Sequence, residues 1–205
     1  MAEQAVPVIR TPAVRSREPL VFIPGGEHMP WPPADERLTE GARRALGVAQ
    51  DEACRLNHNH LGPVHVFAGL VRVDDALAAR VLADAGVGLD RIRLAIESTM
   101  GRSADEIVTS DITLLPRTQR VIDFAIYESR RLSQRAADTE HFLLALMSEG
   151  DQHVELALDA LDLRADEIRA SVLRAVDVPD SYGARSTRRP GRVRTSASRT
   201  RHERP

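Results

Sequence analysis

LTEGARRALGVAQDEACRLNHNHLGPVHVFAGL, residues 38–70, and LLPRTQRVIDFAIYESRRLSQRAADTEHFLLAL, residues 114–146, are one pattern written twice. A single shift, from 38 to 114, lays the whole of 38–100 on 114–176 without a gap. It brings Arg44 onto Arg120, Ala49 onto Ala125, Glu52 onto Glu128 and Arg55-Leu56 onto Arg131-Leu132. Downstream, His65 meets His141, Leu70 meets Leu146, Asp75 meets Asp151, Leu82 meets Leu158, and Ile92-Arg93 meets Ile168-Arg169. A register held over that length marks a duplicated structural unit.

The periodicity within each copy is helical. Leu38, Ala42, Ala45, Ala49, Ala53 and Leu56 recur at the spacing of one helix face, and Leu115, Thr118, Ile122, Ala125, Ser129 and Leu132 mirror them. Thr39 suits an N-cap and Pro116 a first helical turn. Second helices open at GPVHVFAGL and DTEHFLLAL, with Gly62 and Asp138 in the cap position. ALAARVLADAG and QHVELALDALD supply the third helices, and LDRIRLAIESTM and ADEIRASVLRAV the fourth. Aromatics make up only 3% of the chain, so its core is built from Leu, Val, Ile and Ala, a palette that favours packed helices over strands. The expected fold class is all-α: two pseudo-symmetric four-helix repeats, 38–100 and 114–176, packed as one domain over 38–176.

Both flanks read differently. Residues 1–37 contain PLVFIPGGEHMPWPP, whose Gly-Gly pair and prolines around Trp31 preclude a regular helix, so an irregular extension is expected that docks as an extended segment. Residues 177–205 are expected to be disordered. From Gly183 onward eight arginines face one glutamate, a net of +7 against −9 for the preceding chain. Arg185, Arg188, Arg189, Arg192 and Arg194 are the candidates for contact with a polyanion, whether nucleic acid or an acidic surface. No aromatic is interleaved with them from Gly183 on, which argues against base stacking.

Several function classes are excluded by residue type. All 28 basic residues are arginine. Without lysine there is no standard phosphate-binding loop for nucleotide hydrolysis and no Schiff-base chemistry. The lone Cys54 cannot form an internal disulfide, and although His58 lies one turn away nothing else marks it as a nucleophile. His58, His60 and His65 crowd NHNHLGPVH, yet the matching stretch SQRAADTEH keeps only His141. Convergent metal ligands are missing, so structural and capping roles are expected for these histidines, with no metal or cofactor. No apolar run approaches the ~20 residues that span a bilayer. A cytoplasmic, non-enzymatic protein is the expectation.

The repeated text resembles the N-terminal, or Clp repeat, domain of the Clp AAA+ unfoldases. The family pattern runs approximately F-T-x-R-A, A-x-x-E-A, L-x-H-N and G-T-E-H-I-L-L-G-L, and both copies follow it in outline. The resemblance implies a receiving domain for adaptors and client proteins, here without its ATPase motor. The expected partners are therefore Clp protease components, adaptors or clients, and the expected outcome is modulation of Clp-dependent proteolysis. In some family members the T-E-H glutamate takes the guanidinium of a phosphorylated arginine, and a threonine opening the first helix assists with the phosphate. Carried onto this chain with one site per repeat, the first repeat has Thr39 but Val64, and the second has Glu140 but Leu115. Thr39 and Glu140 are the candidate partner-binding residues. The polyanion-binding tail is the alternative source of function.

Overall fold

The computed structural model describes residues 20–23, 27–33, 35–104 and 112–176. Within them the first repeat contributes α1 (Glu40–Arg55), α2 (Pro63–Val71), α3 (Leu77–Asp84) and α4 (Leu89–Met100). The second contributes α5 (Pro116–Arg131), α6 (Thr139–Glu149), α7 (Gln152–Ala160) and α8 (Ala165–Ala175). The all-α, double-repeat architecture read from the sequence is the one observed.

Among the described residues four short strands accompany the helices: β1 (Leu20–Ile23), β2 (Glu27–Pro30), β3 (His60–Leu61) and β4 (Thr113–Leu114), in the sheet order β2-β1-β4-β3. β3 and β4 lie between the helices of different repeats and pair in parallel, Leu61 opposite Leu114. The duplication predicts a second such pair, and it exists. Leu38, the counterpart of Leu114, forms a parallel bridge with Ala137, the counterpart of Leu61. Each repeat thus sends the residue before its first helix across to the residue before the other repeat's second helix.

The helices follow the same exchange. α1 packs on α2 and α5 on α6 within each repeat, while α4 packs on α7 and α3 on α8 between repeats. Neither half encloses a core alone, because helices this short bury too little apolar surface to offset their ordering entropy. One continuous core results, with Leu46, Leu56, Phe67, Leu70, Leu82 and Ile92 from the first repeat against Leu143, Leu144, Val154, Ile168 and Val172 from the second.

Gly69 sets the closest approach. A Cβ there would lie 2.2 Å from the Ala45 carbonyl oxygen, so α1 and α2 touch backbone to backbone. The equivalent residue, Ala145, is fully buried against α5 without needing that proximity.

Part of the N-terminal extension is regular. β1 and β2 form an antiparallel hairpin, Val21 opposite Met29, and β1 continues the sheet through Phe22 opposite Thr113. The LVFI run of β-formers makes this possible, and the Gly25-Gly26 pair falls in the sequence between the strands. Trp31 follows, only 2% exposed, with its indole N–H donating to the Leu46 carbonyl at 3.0 Å. The segment therefore docks through a sheet edge and one aromatic anchor. The arginine-rich segment 177–205, with Arg185, Arg188, Arg189, Arg192 and Arg194, lies outside the described residues.

Candidate binding site

The reciprocal strand pairing decides which side chains meet. Thr39 is the N-cap of α1, its hydroxyl accepting the Ala42 N–H at 3.1 Å. Its own N–H donates to the Ala137 carbonyl at 3.0 Å, which holds it against the start of α6 rather than α2. Asp138 caps α6, its carboxylate accepting the Thr139 N–H at 2.7 Å. The same carboxylate lies so near the first turn of α1 that a Cβ at Gly41 would come within 2.9 Å of Oδ1. Thr39, Asp138 and Glu140 therefore share one junction, formed by the N-terminal ends of helices from different repeats. The one-site-per-repeat pairing gives way to pairing across repeats, because the parallel bridge swaps the cap residues.

Glu140 is 7% exposed. The Thr139 hydroxyl reaches its Oε2 only at 3.5 Å, and His141 Nδ1 lies 3.8 Å from Oε1. That imidazole nitrogen already accepts the Asp138 N–H at 2.9 Å, and burial holds the ring below its ordinary pKa, so it brings no charge. Burial also pushes the Glu140 carboxyl up, and the neighbouring Asp138 charge adds to this; its own backbone N–H, the Thr139 hydroxyl and the more distant Arg80 pull it back only in part. Among the described residues no arginine lies within 4 Å of this carboxylate. A carboxylate held in this way gains from a guanidinium brought to it.

The opposite junction has the same backbone and none of the chemistry. Gly62 stands where Asp138 does, Val64 where Glu140 does and Leu115 where Thr39 does. A Cβ at Gly62 would be 3.5 Å from Leu115 Cδ1, so leucine fills the cleft.

The histidines of NHNHLGPVH form a separate, internal chain. His65 Nδ1 accepts the Gly62 N–H at 2.9 Å, so its Nε2 carries the proton and donates to His58 Nδ1 at 2.9 Å. His58 Nε2 then donates to the Gly101 carbonyl at 3.1 Å, tying the start of α2 to the end of α4. His141 repeats the cap on Asp138, and its buried Nε2 has no partner among the described residues. No group of His, Cys, Asp or Glu placed to hold a metal occurs among the described residues. Cys54 is half-buried beside the core.

The sequence matches the Clp repeat (R) N-terminal domain family over residues 37–161. The chain belongs to that family. It is 36% identical over 138 residues to the negative regulator of genetic competence ClpC/MecB of Bacillus subtilis, covering 67% of this chain and 17% of that protein. Against the ATP-binding subunit ClpC of the Staphylococcus aureus Clp protease the figures are 35% over 144 residues, 70% and 17%. The chain thus spans about a sixth of the length of these relatives. The crystal structure of the N-terminal domain of ClpD from Arabidopsis thaliana superposes with a TM-score of 0.60 at 25% identity, covering 69% of this chain and 98% of that domain.

Against the Clp repeat pattern, one junction of this chain has kept its polar pair and the other has become apolar. Sequence comparison repeat by repeat scattered the pair, since Thr39 and Glu140 are far apart in the chain. In the sequence Asp138, where the pattern has glycine, shows only a cap position. The signal for its second contact is Gly41, a residue of poor helix propensity in the first turn of α1, where the Asp138 carboxylate leaves no room for a Cβ.

Proposed function

We propose that this chain is a cytoplasmic, non-enzymatic receiving module of Clp-dependent proteolysis, which binds adaptors or client proteins at the junction of α1 and α6. The observation that carries this reading is Glu140: a buried carboxylate lacking an arginine partner among the described residues, beside a threonine that opens a neighbouring helix. Such a group is costly to the fold and favourable to a cationic ligand. Membership of the Clp repeat family supports the choice of partner, and no described helix is long and apolar enough to cross a membrane.

Affinity capture with the full chain tests the proposal. Immobilised wild-type protein should retain Clp ATPases, protease subunits, adaptors or their clients from a lysate of the source cell, and Glu140→Gln should lose most of that retention. Capture of none of these proteins overturns the function; capture unaffected by Glu140→Gln overturns the site. A second reading rests on the eight arginines after Gly183, which favour a polyanion. Deleting residues 183–205 should abolish any salt-sensitive DNA or RNA binding while leaving adaptor capture intact.

A further inference from the structure

Large apolar side chains in this chain are scarce on the surface; Trp31, Phe67 and Phe142 are all buried. Two faces of the second repeat depart from that. On α5, Phe124 is 42% exposed and Tyr127 52%, with ring centroids 5.9 Å apart. Arg120, Phe124, Tyr127 and Arg131 follow one another at helical spacing, so two arginines bracket two rings on one face. Arg131 already stacks there, its guanidinium carbon 5.7 Å from the centre of the Tyr127 ring. On α7, Leu156 is 40% exposed between Glu155 and Asp159, and Asp162 follows just past the helix end. No arginine stands between Gln152 and Ala160. Neither face is a product of the duplication, since the counterparts are Val48 and Asp51 on α1 and Ala79, Arg80 and Ala83 on α3. The two helices adjoin at their N-terminal ends. Arg117 of α5 lies 3.6 Å from Asp151, the N-cap of α7, and Arg120 donates to Glu149 at 2.7 Å.

We infer that the α5 face of one copy of this chain docks on the α7 face of a second copy, and that two such contacts close a twofold dimer. The faces complement each other: two rings rimmed by arginine on one, a leucine rimmed by carboxylates on the other. An apolar centre with oppositely charged rims is the ordinary build of a protein–protein contact. Because the faces adjoin on each copy, a twofold axis beside the Arg117–Asp151 contact lays each on its complement in the partner. Three exposed large side chains per copy fall short of the ~800 Å² that a standard interface buries on each partner, so the dimer is weak, with a Kd on the order of 10–100 μM. The arginines after Gly183 are the rival occupant of the acidic face.

Analytical ultracentrifugation of the full chain, from about 5 μM to about 500 μM, tests this. Wild type should pass from monomer to dimer across that range, and added salt should weaken the dimer by screening its rim. Tyr127→Glu places a carboxylate opposite the acids of α7, and Leu156→Arg places a cation opposite the arginines of α5. Each should weaken dimerisation at least about tenfold. Combining the two sets opposite charges face to face and should restore the dimer to within a few-fold of wild type. All the substituted side chains are exposed, so thermal melts should stay unchanged, which separates a lost contact from a lost fold. Deleting residues 183–205 should leave the dimer in place. A monomer at every concentration overturns the inference, as does a dimer indifferent to both single variants. A double variant no tighter than the single ones shows that α5 and α7 do not meet, and also overturns it. Loss of the dimer on deleting 183–205 overturns it in favour of the arginine segment as the occupant.

Discussion

Histidine 65 shows how one residue can hold two helices and titrate only at a cost. Its imidazole is fully buried, caps α2 with Nδ1 and reaches His58 with Nε2. Burial, with the neighbouring His58 and His60, pushes its pKa from 6.5 down to about 3. Below pH 6.5 the unfolded chain therefore binds a proton that the folded chain refuses until about pH 3. Stability rises with pH across that window and is lost as the solution is acidified, by up to about 1.4 kcal/mol per pH unit for this group. Urea unfolding midpoints should fall between pH 7 and pH 5, and His65→Gln should flatten the slope. Glutamine at that position can still accept the Gly62 N–H, as in an ordinary capping box, but does not titrate. An unchanged slope would mean that His65 is not held neutral. Glu140 behaves in the opposite sense. Its raised pKa means that ionisation at neutral pH weighs against the fold, so Glu140→Gln should leave the melting temperature unchanged or higher while removing partner binding. A lower melting temperature would identify Glu140 as structural.

At the scale of elements, periodicity located the helices well. The fourth helices, α4 and α8, begin at the leucine and alanine that open LDRIRLAIESTM and ADEIRASVLRAV. Strong 3.6-residue patterns are local information, so a linear reading recovers them. The strands β3 and β4 were not visible, because they are two residues each and exist only through long-range pairing, with one another and, for β4, with β1. Ion-pair clustering was equally hidden. Glu52 is 1% exposed and gathers Arg55 at 2.9 Å, Arg72 at 3.6 Å and Arg93 from α4. Burial alone would push its carboxyl up, but hydrogen bonds from Arg93 and Arg55 outweigh it and hold the pKa below its ordinary value. The contact between α1 and α2 gives the sharpest prediction at this scale. Gly69→Ala must force the helices apart by moving backbone, and should cost at least about 2–3 kcal/mol in chemical denaturation. The equivalent Ala145→Gly should cost only about 1 kcal/mol, the difference in helix propensity plus one small cavity. Similar costs for the two would show that the repeats pack with the same spacing.

For the whole molecule, the two repeats form a single cooperative unit, since α3 and α4 are covered by α8 and α7 of the other copy. The N-terminal hairpin and Trp31 extend that unit. Trp31 is anchored on the middle of α1 by burial and by the bond to the Leu46 carbonyl. Trp31→Ala should lower stability by about 3–5 kcal/mol in one unfolding transition, and Trp31→Phe by about 1–2 kcal/mol through the lost hydrogen bond and smaller ring. Retention of full stability in Trp31→Ala would mean that the extension folds without supporting the domain. Tryptophan fluorescence in the wild type reads the same transition, because the chain has one tryptophan.

By itself the sequence determined the class, the duplication and the family, since helix periodicity, caps and a constant register between copies are all carried along the chain. It also determined the absence of lysine chemistry. Only the tertiary structure decided how the candidate residues combine. Thr39 and Glu140 belong to different repeats and become neighbours because Leu38 bridges to Ala137 while Leu114 bridges to Leu61. A site shared between repeats has no signature in either one, because the parallel pairing that assembles it joins residues about a hundred positions apart and is set by long-range backbone hydrogen bonds.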